Sequence, residues 1–588
     1  MSTSATTDAR TAGPVLAALL RWAEELPLST AVSAPDGAFD YVQLVDRTRR
    51  LAAAMAARGI GPERRVALLL GRSRDSLAAL LAVWWLGATA VPLDPGHPAE
   101  RLRYILRDGG VELVVTAQAP GWLPPEPATL HPEQPAPAAP AAGPVRPHPD
   151  GAAYLIYTSG TTGRPKGVEV TYGGLAAFAD ALGGIGLPST GLGLNAVSPA
   201  FDGWLWCSLL YLLHGQGVAM VDLTLEAPAH QGPEPIRAAA VRTVSLTPSL
   251  LAAHGDQVTG AEVIVVAGEP CPPALADRFA PGRRFLNVYG PTEATIAATW
   301  SDSARGDDVH TIGRPLPGYR AYVLDAELRP VPPGTEGELF LGGPALARGY
   351  RGRAGLTAAR FIPDVFRADG SRMYRTGDVV RELPSGELEY RGRRDDQVKV
   401  RGFRVELGEV ERAARELPEI AASAAFVVGS GDALGLAVVP APGAAAAGLA
   451  ERVAAHCATL LPGAAVPQTV QVRDSIPTLA TGKADRAALA SESASAPGAV
   501  GTGRPPATER ERDLLALWSE LLDRQIDGVS ADFFEIGGHS LLAARMVAEL
   551  RRRTGLPVSL GMLLATPTVA ALAAELDALA TAESVGVR

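Results

Sequence analysis

The chain has 588 residues, enough for roughly three to five domains or subdomains. Hydrophobic residues make up 47% and charged residues 20%, with a formal net charge of -9, so large cores are expected and a basic nucleic-acid-binding surface is not. The three cysteines, Cys207, Cys271 and Cys457, stand far apart without a CxxC pair, which points to a reducing, cytoplasmic setting with neither a disulfide framework nor a zinc site.

The N-terminus, MSTSATTDAR, lacks the basic head and apolar run of a signal peptide. Helical periodicity over 41–58 gives way to short apolar runs that read as strands: VALLL (66–70), ELVVT (112–116), VIVVAG (263–268) and ELFLGG (338–343). Strands alternating with helices predict a large α/β body. The most apolar stretch, LAALLAVWWLGATAV (77–91), is short for a bilayer span, and Pro92 and Asp94 follow at once. It is expected to be a buried helix running into a buried strand, with no membrane association. Three stretches read as loops or linkers: the Pro/Ala-rich 118–150, the Ala/Gly-rich 441–448 and SESASAPGAVGTGRPPA (491–507). The sequence beyond the last has mostly helical periodicity, and no fixed-period repeat occurs.

The densest chemical signal is YTSGTTGRPKG (157–167), which follows a strand-like YLI. Small residues and hydroxyls let backbone approach an anion closely, and Lys166 adds a positive charge, so the loop is suited to phosphates. The GxxxxGK[ST] order of the nucleotide hydrolases is absent.

This loop resembles the signature of the adenylate-forming enzymes. WLGATAVPLDPGHPAERLRYIL (85–106), NVYGPTE (287–293), GELFLGGPALARGY (337–350), YRTGD (374–378), GRRDDQVKVRGFRVELGEVE (392–411) and TGKADR (481–486) follow in that family's order and cover most of the chain from about 15 to 490. The chain resembles an adenylation domain of a nonribosomal peptide synthetase. That resemblance implies a large N-terminal subdomain over 1–391 and a small α+β subdomain over 392–490. A linker over 491–508 and an all-α four-helix carrier domain over 509–580 would follow.

The implied chemistry is attack of a carboxylate on the α-phosphate of ATP, which requires cations and preorganised donors. By resemblance, Thr158, Ser159, Gly160, Thr161, Thr162, Gly163 and Lys166 hold the leaving phosphates. Thr292 contacts the α-phosphate, and Glu293 helps place Mg2+, a hard cation suited to carboxylate and phosphate oxygens. Tyr289 stacks near the adenine, Asp378 accepts from the ribose hydroxyls, and Arg393 lies near ribose and phosphates. Lys483 bridges the substrate carboxylate and the reacting phosphate. Asp395 is the hinge position, expected to be charged and solvated, and in the second orientation the side carrying residues 402–404 faces the site.

In the amino-acid-activating branch an Asp pairs with the substrate ammonium. In FDGWLWC (201–207), Asp202 fits that role. Motif placement suggests pocket walls from Gly203, Trp206, Ser245, Val265, Ala267, Val288, Ile296 and Ala297. Several are small and none is charged, which suits an aromatic or large apolar side chain. Cys207, where Glu is common, and Tyr172, where His is common, depart from the pattern.

GGHSLLAARMVAEL (537–550) resembles the carrier signature, with Ser540 as the phosphopantetheine attachment point. Leu542, Met546 and Leu550 recur on one helical face, Arg551, Arg552 and Arg553 favour the negative helix end, and Gly555 stops the helix. A bare N-cap serine is the plain alternative; no GxSxG elbow supports a hydrolase. The implied partners are a phosphopantetheinyl transferase and downstream condensation, tailoring or release enzymes, since neither an HHxxxDG motif nor a thioesterase elbow occurs. Some relatives need an MbtH-like helper, for which 416–428 is the docking segment by resemblance. Two rival readings are an acyl-CoA ligase using free coenzyme A and a degenerate binding scaffold.

Overall fold

The structure, a computed structural model, describes residues 13–134, 143–160, 164–223, 241–258, 260–400, 403–428, 433–479, 483–495, 504–522, 525–526, 528–533, 536, 540–556, 558, 562–563 and 566–585. It divides into two compact units. One takes in 1–221, 235–418 and 455–466, the other 222–234, 419–454 and 467–588.

The described residues of the first unit build two large mixed sheets and a smaller antiparallel one. In the nine-stranded sheet, Arg284–Tyr289, Val263–Ala267, Val241–Leu246, Leu192–Asn195, Gly217–Met220 and Thr30–Ala34 run parallel, and antiparallel strands close both edges. The seven-stranded sheet has a parallel core through Ala152–Thr158, Thr89–Pro92, Arg65–Leu69 and Leu113–Thr116. Parallel strands are covered on both faces and so read as continuous apolar runs. That is why VALLL, ELVVT and VIVVAG were legible as strands. The apolar stretch over 77–91 is a helix, Arg74–Trp85, followed by the strand Thr89–Pro92, all buried apart from the helix's first residue. The segment 118–150 is not wholly a loop, because Ala128–Leu130 pairs in parallel with Leu113–Thr116 as an edge strand.

Helix Asp202–Leu213 is apolar around nearly its whole circumference, and Trp204 through Leu212 are buried. Such a helix belongs inside a core. Strand Leu192–Asn195 packs directly on it. A Cβ on Gly193 would lie 2.3 Å from the ring of Tyr211, whose hydroxyl donates to the Leu194 carbonyl at 2.8 Å.

The hairpin Gln397–Val400/Phe403–Glu406 and helix Leu407–Arg415 group with the first unit rather than with the strands that follow them. A buried ion pair between Arg101 Nη1 and Glu409 Oε1 (2.9 Å) and an edge-to-face contact of Phe201 with Phe403 (centroids 4.7 Å apart) hold them there.

In the second unit, Ile420–Val428 and Ala433–Pro440 form a hairpin, Thr469–Val472 adds a parallel strand, and helix Arg486–Ser495 buries Leu489 against Phe426 and Ala437. That helix runs through 491–495, so the segment read as a tether begins as helix. Its far end is anchored too, because Glu511 accepts from Arg504 and from the Ala507 and Thr508 amides. Helices Glu509–Leu522, Ser540–Thr554 and Val569–Val585 share a core around Trp518 and Phe533, whose rings meet edge to face at 5.0 Å. Met546 and Leu550 are buried in it and Leu542 partly so, as the periodicity requires, and the helix ends before Gly555 at φ 72°. No described helix is long and apolar enough to cross a membrane.

Gly193→Ala is expected to force the added methyl into the Tyr211 ring. Overpacking of this kind costs roughly 1–3 kcal/mol, readable as a lower Tm for the first unit with the helices around Trp518 unaffected.

Candidate active site

The phosphate-loop motif folds as a β-hairpin tip. Thr158 ends one strand, Lys166 begins the next, and the two residues pair across the ladder. Gly160 is required, because a Cβ there would lie 1.9 Å from the Arg164 carbonyl oxygen. Thr158 Oγ1 is buried without a partner, and the Ser159 hydroxyl donates to the Arg404 carbonyl at 2.8 Å. Thr161, Thr162 and Gly163 lie outside the described residues.

Lys166 and Glu293 meet beneath this loop, with Nζ 3.6 Å from Oε1. Glu293 is fully buried. Its Oε1 also accepts from the Tyr350 hydroxyl at 2.7 Å, and its Oε2 takes Arg404 Nη1 at 2.8 Å. Burial opposes the charge, but Arg404, Lys166 and Tyr350 outweigh it and hold the carboxyl well below its ordinary range. For Lys166 burial dominates over the attraction of Glu293, and the ammonium is lowered to about 8. Its Nζ sits 4.7 Å from the Tyr350 ring centroid.

Thr292, beside Glu293, also stands next to Asp202, the first residue of its helix. Burial, reinforced by nearby Glu293, pushes the Asp202 carboxyl up to about 6 against the pull of Thr292, Arg404 and the Gly203 amide. Asp202 Oδ2 is buried and has no hydrogen-bond partner. A buried carboxylate oxygen left this way is costly unless a donor completes it.

Sheet register assembles the predicted pocket walls. Ser245 pairs with Val265, and Ala267 with Val288, on adjacent parallel strands. Val265 and Ala267 are two residues apart, so all four lie on one face of the sheet. Trp206 Nε1 donates to Ser245 Oγ at 3.0 Å, which sets helix Asp202–Leu213 over that face with Gly203 one turn before the indole. Ile296 and Ala297 come from a turn in which Thr295 (φ 57°) and Ile296 (φ 77°) are both left-handed. Left-handed backbone is strained for β-branched residues. Gly290 admits that turn: a Cβ on it would lie 2.4 Å from Ala297 Cα. The Thr295 hydroxyl bonds the Ala345 carbonyl, and Tyr319 OH donates to the Ala294 carbonyl at 3.2 Å.

A third cluster joins Tyr289, Asp378 and Arg393, the residues expected near the nucleoside. Asp378 accepts from Tyr289 OH at 2.5 Å and from Arg393 Nη1 at 2.6 Å. Arg393 also holds Asp395 with two bonds, Nε–Oδ1 at 2.7 Å and Nη2–Oδ2 at 3.0 Å, and Arg360 lies 3.6 Å from the same carboxylate. Asp395 is therefore paired, contrary to the expectation of a solvated loop carboxylate. Its neighbouring arginines supply the reason. Lys483 is exposed and belongs to the second unit, as does Ser540, the first residue of helix Ser540–Thr554.

Tyr350 and Tyr374, whose hydroxyls lie 3.4 Å apart beside Glu293, were not among the residues assigned from sequence, and Arg404 was read only as part of a side (402–404) that faces the site in the second orientation, with no link to Glu293. All three sit inside quoted motifs, but only the fold shows them converging on Glu293.

An AMP-binding enzyme family matches residues 19–351, and a phosphopantetheine attachment site matches 512–576. The chain belongs to the AMP-binding enzymes, in the adenylation–carrier arrangement of the nonribosomal peptide synthetases. It is 38% identical to novobiocin biosynthesis protein H of Streptomyces niveus over 570 residues, covering 93% of each. It is 41% identical over 584 residues to CymA of Salinispora arenicola, a probable nonribosomal peptide synthetase, but spans only 7% of that protein. It spans 52% of phosphinothricin tripeptide synthetase PhsC of Streptomyces viridochromogenes, at 39% identity. Among solved structures, holo-PA1221, an NRPS protein containing adenylation and PCP domains, aligns at TM-score 0.78 and 27% identity over 96% of both chains.

The residues fit the groups the family implies. A buried threonine hydroxyl without a partner and a buried lysine flank the Gly/Thr-rich stretch expected to hold phosphates. Glu293 offers hard oxygens for Mg2+, and no cluster of three or more His, Cys, Asp or Glu among the described residues offers a metal cage of its own.

Glu293→Gln leaves two buried cations short of their counter-charge. Breaking a buried pair this way costs about 3–5 kcal/mol, so a large drop in Tm is expected, while Tyr350→Phe costs about 1 kcal/mol. Because the folded pKa of Glu293 is depressed, its stabilisation is complete at neutral pH and is lost as pH falls through the acid range. Thermal melts of the glutamine variant should therefore vary less with acidification than those of the parent.

Proposed function

We propose that this chain activates an α-amino acid with ATP, forming an aminoacyl-adenylate and pyrophosphate. The aminoacyl group then passes as a thioester to a phosphopantetheine arm on Ser540. The observation that carries the amino-acid part is Asp202, whose Oδ2 is buried and unpartnered at the head of helix Asp202–Leu213. A substrate ammonium completes it; a fatty or aryl acid, or an acyl-CoA ligase substrate without an amine, would leave it unpaired.

In this reading the substrate carboxylate oxygen attacks the α-phosphorus, a new O–P bond forms, and the bond to pyrophosphate breaks. The loop 158–163 and Lys166 hold the leaving phosphates, and Thr292 lies between the α-phosphate and Asp202. Magnesium, held by Glu293 with phosphate oxygens, would neutralise charge on the phosphates. Asp378, Tyr289 and Arg393 hold the nucleoside, and Lys483 steadies the charge that develops where carboxylate and phosphate meet. Asp395 is the hinge between the two half-reactions. The carrier's arm, once attached, supplies the accepting thiol. The domain limits proposed are 1–391, 392–490, a linker to 508, and a carrier over 509–580.

The pocket favours an aromatic or large apolar side chain. Val265, Ala267, Val288, Ile296 and Ala297 offer no charge, and Trp206, fixed through Ser245, presents a rigid aromatic wall. Once loaded, the carrier would hand its cargo to condensation, tailoring or release enzymes.

Two outcomes follow. The substrate ammonium stays charged between pH 5 and 8, but Asp202 gains a proton below about pH 6. In ATP–pyrophosphate exchange the amino-acid KM should rise about tenfold per pH unit below that point, with the ATP KM unaffected. A flat amino-acid KM down to pH 5 would remove Asp202 from the role. Phosphopantetheinylated protein incubated with ATP, Mg2+ and a pool of amino acids should gain the mass of one aminoacyl group, and Ser540→Ala should gain none; a gain that survives the alanine means loading elsewhere.

A further inference from the structure

Glu293 faces two demands. On the reading above, which this inference rests on, one of its oxygens must serve magnesium when ATP is bound. Yet its Oε2 is taken by Arg404 Nη1 at 2.8 Å, while Tyr350 and Lys166 occupy Oε1. Magnesium binds oxygen directly at about 2.0–2.1 Å and demands near-octahedral geometry. A guanidinium on the same oxygen both fills the lone-pair direction and repels the incoming dication. Arg404 and a Glu293-bound metal therefore compete for that oxygen.

Arg404 is not a stray surface charge. It lies on strand Phe403–Glu406, its carbonyl accepts from Ser159 of the phosphate loop at 2.8 Å, and its neighbour Phe403 packs edge to face on Phe201. Glu409, three residues past the strand's end, is locked to Arg101. The same strand therefore spans the phosphate loop through its backbone and supplies a cation to Glu293 through its side chain.

We propose that Arg404 is a built-in counter-ion that stands in for magnesium at Glu293. With no metal–nucleotide bound, it neutralises a buried carboxylate whose other cation, Lys166, lies on the opposite oxygen. Metal–ATP displaces it and so releases the strand from the phosphate loop. Departure of metal and pyrophosphate lets it return. One cation exchanged for another ties the charge state of the phosphate site to the seating of residues 397–415.

The test measures metal affinity rather than turnover. Mn2+ binding to the full chain in the presence of α,β-methylene-ATP, a non-reacting analogue, is titrated by electron paramagnetic resonance for the parent, R404Q and R404K. Removing a charge-assisted competitor from the oxygen should tighten Mn2+ about tenfold in R404Q. R404K, which keeps the charge but not the planar fork, should fall between the two. In melts, R404Q should lose Tm without ligand and show a larger rise than the parent when Mn2+ and the analogue are added. Equal or weaker Mn2+ binding by R404Q overturns the inference while leaving the adenylating reading intact. Should R404Q not fold, R404K alone decides, since unchanged Mn2+ affinity in it also overturns the inference. Failure of the parent to bind the metal–nucleotide at all overturns the adenylating reading and this inference with it.

Discussion

The site is organised around one buried charge. Glu293 has no exposed surface, and a carboxylate in that position survives ionised only if cations and donors surround it. They come from three separate stretches of chain: Lys166 from the phosphate hairpin, Tyr350 from the edge strand Gly349–Tyr350, and Arg404 from strand Phe403–Glu406. Each stretch must be seated before the carboxylate is satisfied, so the charge couples the sheets that carry them. Edge strand Gly349–Tyr350 pairs with Lys166–Thr171 itself, which brings the tyrosine and the lysine to one carboxylate through adjacent backbones.

The amino-acid end of the site depends on register. Ser245, Val265, Ala267 and Val288 face the same way because their strands run parallel without a slip between them. A shift of one residue would turn every one of these side chains to the other face. The strained turn at Thr295 and Ile296 adds the last proposed walls and follows the Thr292–Glu293 pair closely in the chain, so the two ends of the site are joined by a short stretch of backbone. Thr292 also stands next to Asp202.

Much of this was readable beforehand, for identifiable reasons. A glycine- and hydroxyl-rich loop with a lysine has few uses besides anions, and fully covered parallel strands appear as unbroken apolar runs. The helix after Ser540 was legible because Met546 and Leu550 repeat at helical spacing and Gly555 stops it. Local sequence was weaker where pairing partners are distant. Asp395 looked solvated because neither the bidentate grip of Arg393 nor the approach of Arg360 can be inferred from a GRRDD string. The edge strand Ala128–Leu130 was hidden in a Pro/Ala-rich stretch, since its strand state comes from pairing with Leu113–Thr116 and not from its own composition. The helix through 495 extended into small residues for the same kind of reason: Leu489 is buried against Phe426, and packing overrode a linker-like composition.

The sequence by itself determined the class of chemistry, the order of the motifs and which residues are proposed to serve ATP and the carrier arm, because these depend on residue type at short spacing. Tertiary structure alone decided what those groups touch. It placed Arg404 on Glu293, left Asp202 Oδ2 without a partner, and fixed Trp206 through Ser245. Each of these is a contact between residues 39 or more positions apart, or the lack of one, set by how sheets and helices close on each other. No local pattern encodes such a distance, since burial and pairing arise only once the whole body has excluded water from the site.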